Sequence, residues 1–174
     1  MTHNDISKMP TQPEELLTVL KDMGIPYELY EHEAVFTVEE SQKVDKGIPA
    51  HHVRNMYLRT KKKQNFLVTL SHDTPIDLKK LAAVLDVKNF SFGSPDRLMD
   101  LLGVYPGSVT PLSAMNAQSD DVTIILEKRM MDADLIAVHP LINTGTVTIK
   151  PSDLLKFFAR FGHEPLITDL TVAG

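Results

Sequence analysis

Apolar residues along the chain fall in short blocks whose spacing switches repeatedly between a helical period and an alternating or continuous one. Residues 1–10 show no apolar periodicity and are expected to form a disordered or frayed tail. Leu16, Leu17, Val19, Leu20 and Met23 then recur at helical spacing, with Pro13 at the start and Gly24 past the end, which predicts a first helix. A strand is predicted over residues 27–32. Thr37, with Glu40 three residues on, has the pattern of a capping box and opens a short helix toward Val44 that Lys46-Gly47-Ile48-Pro49 breaks.

From there the period changes. Residues 53–60 and 65–70 are dominated by β-branched, aromatic and apolar side chains around a polar turn at 61–64, which predicts an antiparallel hairpin. Asp77 caps a helix through Leu78, Leu81, Ala82 and Leu85, a short strand follows at 89–92, and Ser94-Pro95 opens a helix that Gly103 closes. A loop is expected at 106–108, a central strand at 122–126 and further strands at 135–138 and 146–149. Pro151-Ser152-Asp153 opens a helix over 154–161, Gly162 ends it, and a closing strand is expected over 166–170. Strands and helices in this irregular order predict a mixed α/β fold, a single domain over residues 11–174 with a largely antiparallel mixed sheet flanked by helices.

Composition narrows the chemistry. A chain of 174 residues suffices for one well-packed core and is short for two. With Cys 0, disulfides, zinc–thiolate sites and a cysteine nucleophile are excluded. No apolar run approaches the roughly 18 residues of a membrane helix, and Met1-Thr2-His3-Asn4-Asp5 lacks the basic and apolar regions of a signal peptide, so a soluble, cytoplasmic protein is expected. A formal net charge of -5 argues against non-specific nucleic-acid binding, yet Arg54, Arg59, Lys61, Lys62 and Lys63 crowd within ten residues, with Lys79 and Lys80 following. Acidic residues gather instead in 28–40 and 120–134, an asymmetry able to turn a basic face to a phosphate backbone. The plainer reading of Lys61, Lys62 and Lys63 is a solvated hairpin tip.

Strand parity puts Arg54 on one face with Met56, Leu58 and Thr60, and Asn55 on the other with Val53, Tyr57 and Arg59. A guanidinium on the more apolar face calls for a carboxylate or an anionic ligand, unless it reaches solvent along its own stem. His139 precedes Pro140 at the end of an apolar strand. The adjacent His51 and His52 point to opposite faces and have no evident third ligand, so no metal site is expected. Glu39 and Glu40 diverge by about 100° on a helix and are explained by capping rather than by acid–base work. No glycine-rich phosphate loop or other cofactor motif is present, and no cofactor is expected.

Three segments acquire meaning from their order: His51-His52-Val53-Arg54-Asn55-Met56-Tyr57-Leu58-Arg59, then Pro106-Gly107-Ser108-Val109-Thr110-Pro111, then His139-Pro140. Together they resemble the YbaK/ProX aminoacyl-tRNA editing domain family, and the resemblance runs from about Leu16 to Asp169. Val35-Phe36-Thr37-Val38-Glu39-Glu40, Asp77-Leu78-Lys79-Lys80-Leu81, Ser91-Phe92 and Gly162-His163-Glu164-Pro165 extend it. It implies a trans-editing hydrolase that deacylates mischarged tRNA(Pro), and the Pro-Gly-Ser-Val-Thr-Pro form is similar to the alanyl-tRNA(Pro) deacylase branch. Cysteine, serine or threonine on tRNA are alternative substrates, and a non-catalytic tRNA- or synthetase-binding regulator is a further alternative. By this resemblance Arg54, Asn55 and His139 are the catalytic set, Arg54 standing where members carry lysine. Gly107, Ser108, Ser113, Asn116 and Asn143 would wall the amino-acid pocket, with Ser113 in place of a family glycine. Arg59, Lys61, Lys62 and Lys63 would follow the tRNA acceptor end. The implied partners are mischarged tRNA and prolyl-tRNA synthetase, with the protein a monomer or homodimer.

Overall fold

The computed structural model describes residues 4–35 and 38–174. Five helices alternate irregularly with eight strands among these residues: α1 (Pro13–Asp22), β1 (Glu28–Glu31), α2 (Val38–Asp45), β2 (His51–Arg59), β3 (Asn65–Ser71), α3 (Leu78–Val84), β4 (Ser91–Phe92), α4 (Pro95–Leu102), β5 (Thr123–Glu127), β6 (Ile136–Val138), β7 (Gly145–Ile149), α5 (Pro151–Arg160) and β8 (Leu166–Thr168). Local chemistry sets several of these bounds. The Asp77 carboxylate accepts from the backbone N–H groups of Lys79 and Lys80, and the Ser94 hydroxyl accepts from that of Arg97. Gly103 takes a left-handed conformation, φ 68°, where α4 stops. The capping box expected at Thr37 lies outside the described residues.

Residues 4–10 correct the expectation of a frayed tail. Ile6–Lys8 form a 3₁₀ turn capped by Asp5, Met9 is buried in the main core, and the Tyr105 hydroxyl donates to the Asp5 carbonyl at 2.8 Å. The segment lacks periodicity because two anchors, rather than a helical stripe, attach it. The strand expected over 166–170 is shorter, Leu166–Thr168, since the Asp169 carboxylate accepts from the Thr171 backbone N–H and turns the chain into a 3₁₀ segment at Thr171–Ala173.

The strands form one mixed sheet in the order β1-β7-β6-β2-β3-β5-β8, with β4 also paired to β2. Four ladders are antiparallel (β1·β7, β6·β7, β2·β3, β2·β4) and three parallel (β2·β6, β3·β5, β5·β8). Both faces of the central strands are covered, which is why β3 and β5 read as continuous apolar runs. Tyr57, Leu67, Ile124 and Leu126 pack toward α1, α4 and α5, whose Leu16, Leu20, Leu102, Phe157 and Phe158 are fully buried. Met56, Leu58, Val68, Leu70 and Ile125 pack on the other side with Leu81 of α3. Gly93 lets β4 approach: a β-carbon there would lie 2.1 Å from the Tyr57 ring. Among the described residues no helix is long and apolar enough to cross a membrane.

One detail of the pairing positions everything that follows. β6 pairs with β2 only at His51↔Ile136 and His52↔Ala137, whereas β4 pairs with β2 only at Leu58↔Phe92 and Arg59↔Ser91. The sheet splits between those two short ladders.

Candidate active site

A cleft of about 510 Å³ opens where β2 and β6 part, lined by His52 to Asn55 on one side and Ala137 to His139 on the other. Gly107 and Val109 from the proline-flanked loop, Thr146 of β7, Ser41, Gln42 and Asp45 of α2, and Val35 and His72 complete the wall. The structure therefore brings together Arg54, Asn55, Gly107 and His139 from three distant parts of the chain.

Several polar groups of the cleft have a defined orientation. The Thr69 hydroxyl, directly across the β2–β3 ladder, donates to Asn55 Oδ1 at 2.6 Å, which turns the amide N–H donors outward. His139 Nδ1 lies 3.0 Å from the Gly145 carbonyl oxygen. A carbonyl only accepts, so Nδ1 carries the hydrogen and Nε2 of the neutral ring presents a lone pair. Burial pushes the His139 imidazole below the usual histidine range, and the nearby His32 acts in the same direction; the Gly145 hydrogen bond and the Asp45 carboxylate oppose them. His32 in turn bonds Thr146 through Nε2 and the Glu33 carbonyl through Nδ1, both at 2.8 Å.

Arg54 is exposed, and one of its terminal nitrogens donates to the Thr74 carbonyl at 2.5 Å. The guanidinium thus runs along the rim toward solvent instead of into the sheet's apolar layer, as a long stem at a strand end permits. Its remaining donors stay available to an anion or a carbonyl.

Other expected site residues stand elsewhere. Ser113 is fully buried, its hydroxyl donating to the Thr110 carbonyl at 2.6 Å, and does not line the cleft. Asn116 is likewise a strut: its amide donates to the Leu102 carbonyl at the end of α4 and accepts from the Thr11 hydroxyl. A short 3₁₀ helix over Pro111–Asn116 turns both residues inward, and His163 locks that helix by approaching the Ala114 and Ala117 carbonyls at 2.8 and 2.9 Å. Ser108 and Asn143 are buried just behind the wall, Asn143 Nδ2 lying 3.5 Å from where a β-carbon on Gly107 would be. Lys61 and Lys62 line a separate hollow at the hairpin tip, and Lys63 turns the chain with φ 66°. At about 3.4 Å per residue, that tip lies roughly 20 Å along β2 from Arg54.

His52, His72 and Asp45 reach the cleft without having been singled out for it. His52 Nδ1 lies 3.3 Å from the Asp45 carboxylate, and His72 Nδ1 donates to the His52 carbonyl at 3.1 Å. Adjacency of His51 and His52 had suggested divergence, and they do diverge: His51 instead bonds the buried Ser71 hydroxyl at 2.6 Å. Among the described residues no three histidine or carboxylate side chains converge as a metal site.

Residues 32–157 match the family described as the aminoacyl-tRNA editing domain. The chain belongs to that family. As an editing domain it is an aminoacyl-tRNA deacylase, a hydrolase of the ester between an amino acid and tRNA. The editing domain is 34% identical over 149 residues to the prolyl-tRNA editing protein ProX of Acetoanaerobium sticklandii, covering 85% of this chain and 91% of that one. It is also 34% identical over 158 residues to the mouse prolyl-tRNA synthetase associated domain-containing protein 1, covering 88% and 93%. Among solved structures, a candidate trans-editing enzyme for prolyl-tRNA synthetase shares the fold at a TM-score of 0.68 and 16% identity, over 90% of this chain and 94% of that one.

Proposed function

We propose that this editing domain acts in trans on mischarged tRNA(Pro), with alanyl-tRNA(Pro) as its substrate, in the cytoplasm and alongside prolyl-tRNA synthetase. The observation that carries this reading is the convergence of Arg54, Asn55, His139 and Gly107 on one cleft at the split in the sheet. The relatives' names and the Pro106 to Pro111 segment support the choice of tRNA and amino acid.

The physical logic is a size sieve. A pocket shaped for proline rejects smaller alanine poorly, because missing methylenes are worth only about 1–3 kcal/mol, so a second site that is too small for proline removes the error. Here Val109, Val53 and the backbone of Gly107 bound the space for the amino-acid side chain. The Asn55 amide donates to the ester carbonyl as charge develops on its oxygen, and the Arg54 guanidinium at the rim adds its positive charge to that stabilisation. His139 Nε2 accepts a hydrogen from the attacking water or from the vicinal ribose hydroxyl. Water oxygen bonds to the carbonyl carbon, the bond from that carbon to the ribose oxygen breaks, and the ribose oxygen gains a proton, releasing alanine and tRNA. An aminoacyl ester is activated enough for positioning and polarisation to suffice. Lys61, Lys62, Lys63 and Arg59 then contact phosphates of the acceptor stem, well away from the ester.

The test is hydrolysis of alanyl-tRNA(Pro) beside prolyl-tRNA(Pro) by the wild type and by Arg54→Ala. Loss of alanine with proline spared, and strong slowing in the variant, is the expected result. Equal treatment of the two esters would overturn the alanine sieve, and an unchanged Arg54→Ala would remove Arg54 from the reaction.

A further inference from the structure

Glu127 ends β5 with a side chain that is 0% exposed, although nothing in the reaction uses it. Its Oε1 accepts from the Ser71 backbone N–H at 3.1 Å and from the Thr74 hydroxyl at 2.8 Å, while Oε2 is buried and has no hydrogen-bond partner among the described residues. Arg129 sits over this carboxylate, Nε to Oε1 at 3.6 Å, donates to the same Thr74 hydroxyl at 2.8 Å and pairs with Asp73. Burying a carboxylate is costly unless its charge and lone pairs are compensated, so a buried acid that only packed would be a poor choice for a sheet end.

What the pair holds is the turn between β3 and α3. Residues 71–74 place His72 on the cleft wall and aim the Thr74 carbonyl at Arg54. An exposed arginine has many accessible rotamers and would otherwise sweep through solvent. We infer that Glu127 and Arg129 are positioning residues for the deacylation: by fixing the Thr74 peptide they hold the Arg54 guanidinium at the cleft rim in its reactive orientation. This rests on the proposed role of Arg54. The link runs from 127 and 129 through 74 to 54, across two loops, and touches no substrate.

A double-mutant cycle in single-turnover deacylation of alanyl-tRNA(Pro) tests it. Glu127→Gln keeps the shape and an acceptor oxygen but loses the charge that holds Arg129. Arg129→Lys keeps the charge but not the fork that spans Thr74 and Asp73, and its half-exposed site makes it the safer variant for folding. Either change is expected to slow the chemical step roughly tenfold with little change in tRNA affinity, and to slow it less than twofold further once Arg54 is alanine. Full multiplication of the effects in the Arg54→Ala background, or a loss confined to affinity, overturns the inference while leaving Arg54 in the site. An Arg54→Ala enzyme as fast as wild type would overturn the role of Arg54, and the positioning pair with it.

Discussion

His139 and Gly145 face each other across the turn between β6 and β7, Nδ1 to carbonyl oxygen at 3.0 Å, and that contact makes Nε2 the nitrogen offered to the cleft. Only the neutral ring can accept a hydrogen there, and burial holds its titration below the ordinary histidine value of 6.5. Activity should therefore persist as pH falls through 6.5 and decline only at lower pH, as the ring gains its second proton. His139→Ala should lower the single-turnover rate by about 10²–10⁴-fold. Rates measured from pH 5 to 7.5 check both, and an acid limb centred at or above 6.5 would contradict the assigned tautomer chemistry.

Asn55 is constrained from behind by Thr69, so its amide has one productive orientation. Asn55→Ala removes that donor and leaves a fully buried hydroxyl without its acceptor, so it should lose both activity and about 1–3 kcal/mol of stability. Thr69→Val releases the amide without deleting it. Its deacylation rate should fall between those of the wild type and Asn55→Ala, whereas a rate matching wild type would show that the Thr69 bond does not orient the amide.

Replacing Lys61, Lys62 and Lys63 together by alanine should raise KM for tRNA and flatten its dependence on salt, leaving the single-turnover rate at saturation intact. Each lost phosphate contact reduces the log–log salt slope by somewhat less than one unit. Titrations of KM between low and moderate salt distinguish this from a solvated tip, for which the slope would not move.

Asn116 joins the end of α4 to residue 11 and lies off the cleft. Asn116→Ala should lower Tm by several degrees, from about 1–3 kcal/mol at roughly 2–4 °C each in a domain of this size, without altering the deacylation rate. A selective loss of rate at unchanged Tm would return Asn116 to the substrate pocket.

The helices were legible because their ends carry strong local chemistry: Asp77, Ser94 and Gly103 stand where the pattern puts them. The β2–β3 hairpin was legible for the same reason, two apolar runs around a polar turn. Arg54, Asn55, Gly107 and His139, singled out through motif order, line one cleft, because that order carries information about a cavity that no single segment contains. Ser113 and Asn116, expected at the pocket wall, do not line this cleft, because motif proximity does not specify the turn that follows Pro111, and the 3₁₀ helix points both inward. Glu127 lies at the end of an apolar run and gave no sign of its buried hydrogen bonds, since its partners Ser71 and Thr74 are more than fifty positions away. His72 and Asp45 were equally hidden, because each is ordinary in its own segment and reaches the cleft only through the tertiary fold.

The short ladder that joins β2 to β6 pairs residue 51 with residue 136, so the cleft has no local precursor in the chain. Arg54 and Asn55 stand on a hairpin whose two strands are neighbours in sequence, whereas Gly107 and His139 lie about fifty and eighty residues further along the chain. Contacts this distant in sequence form late because loop closure must precede them. A chain that has made the hairpin but not the pairing of 51 with 136 therefore carries the donors of β2 without the opposite wall that holds His139.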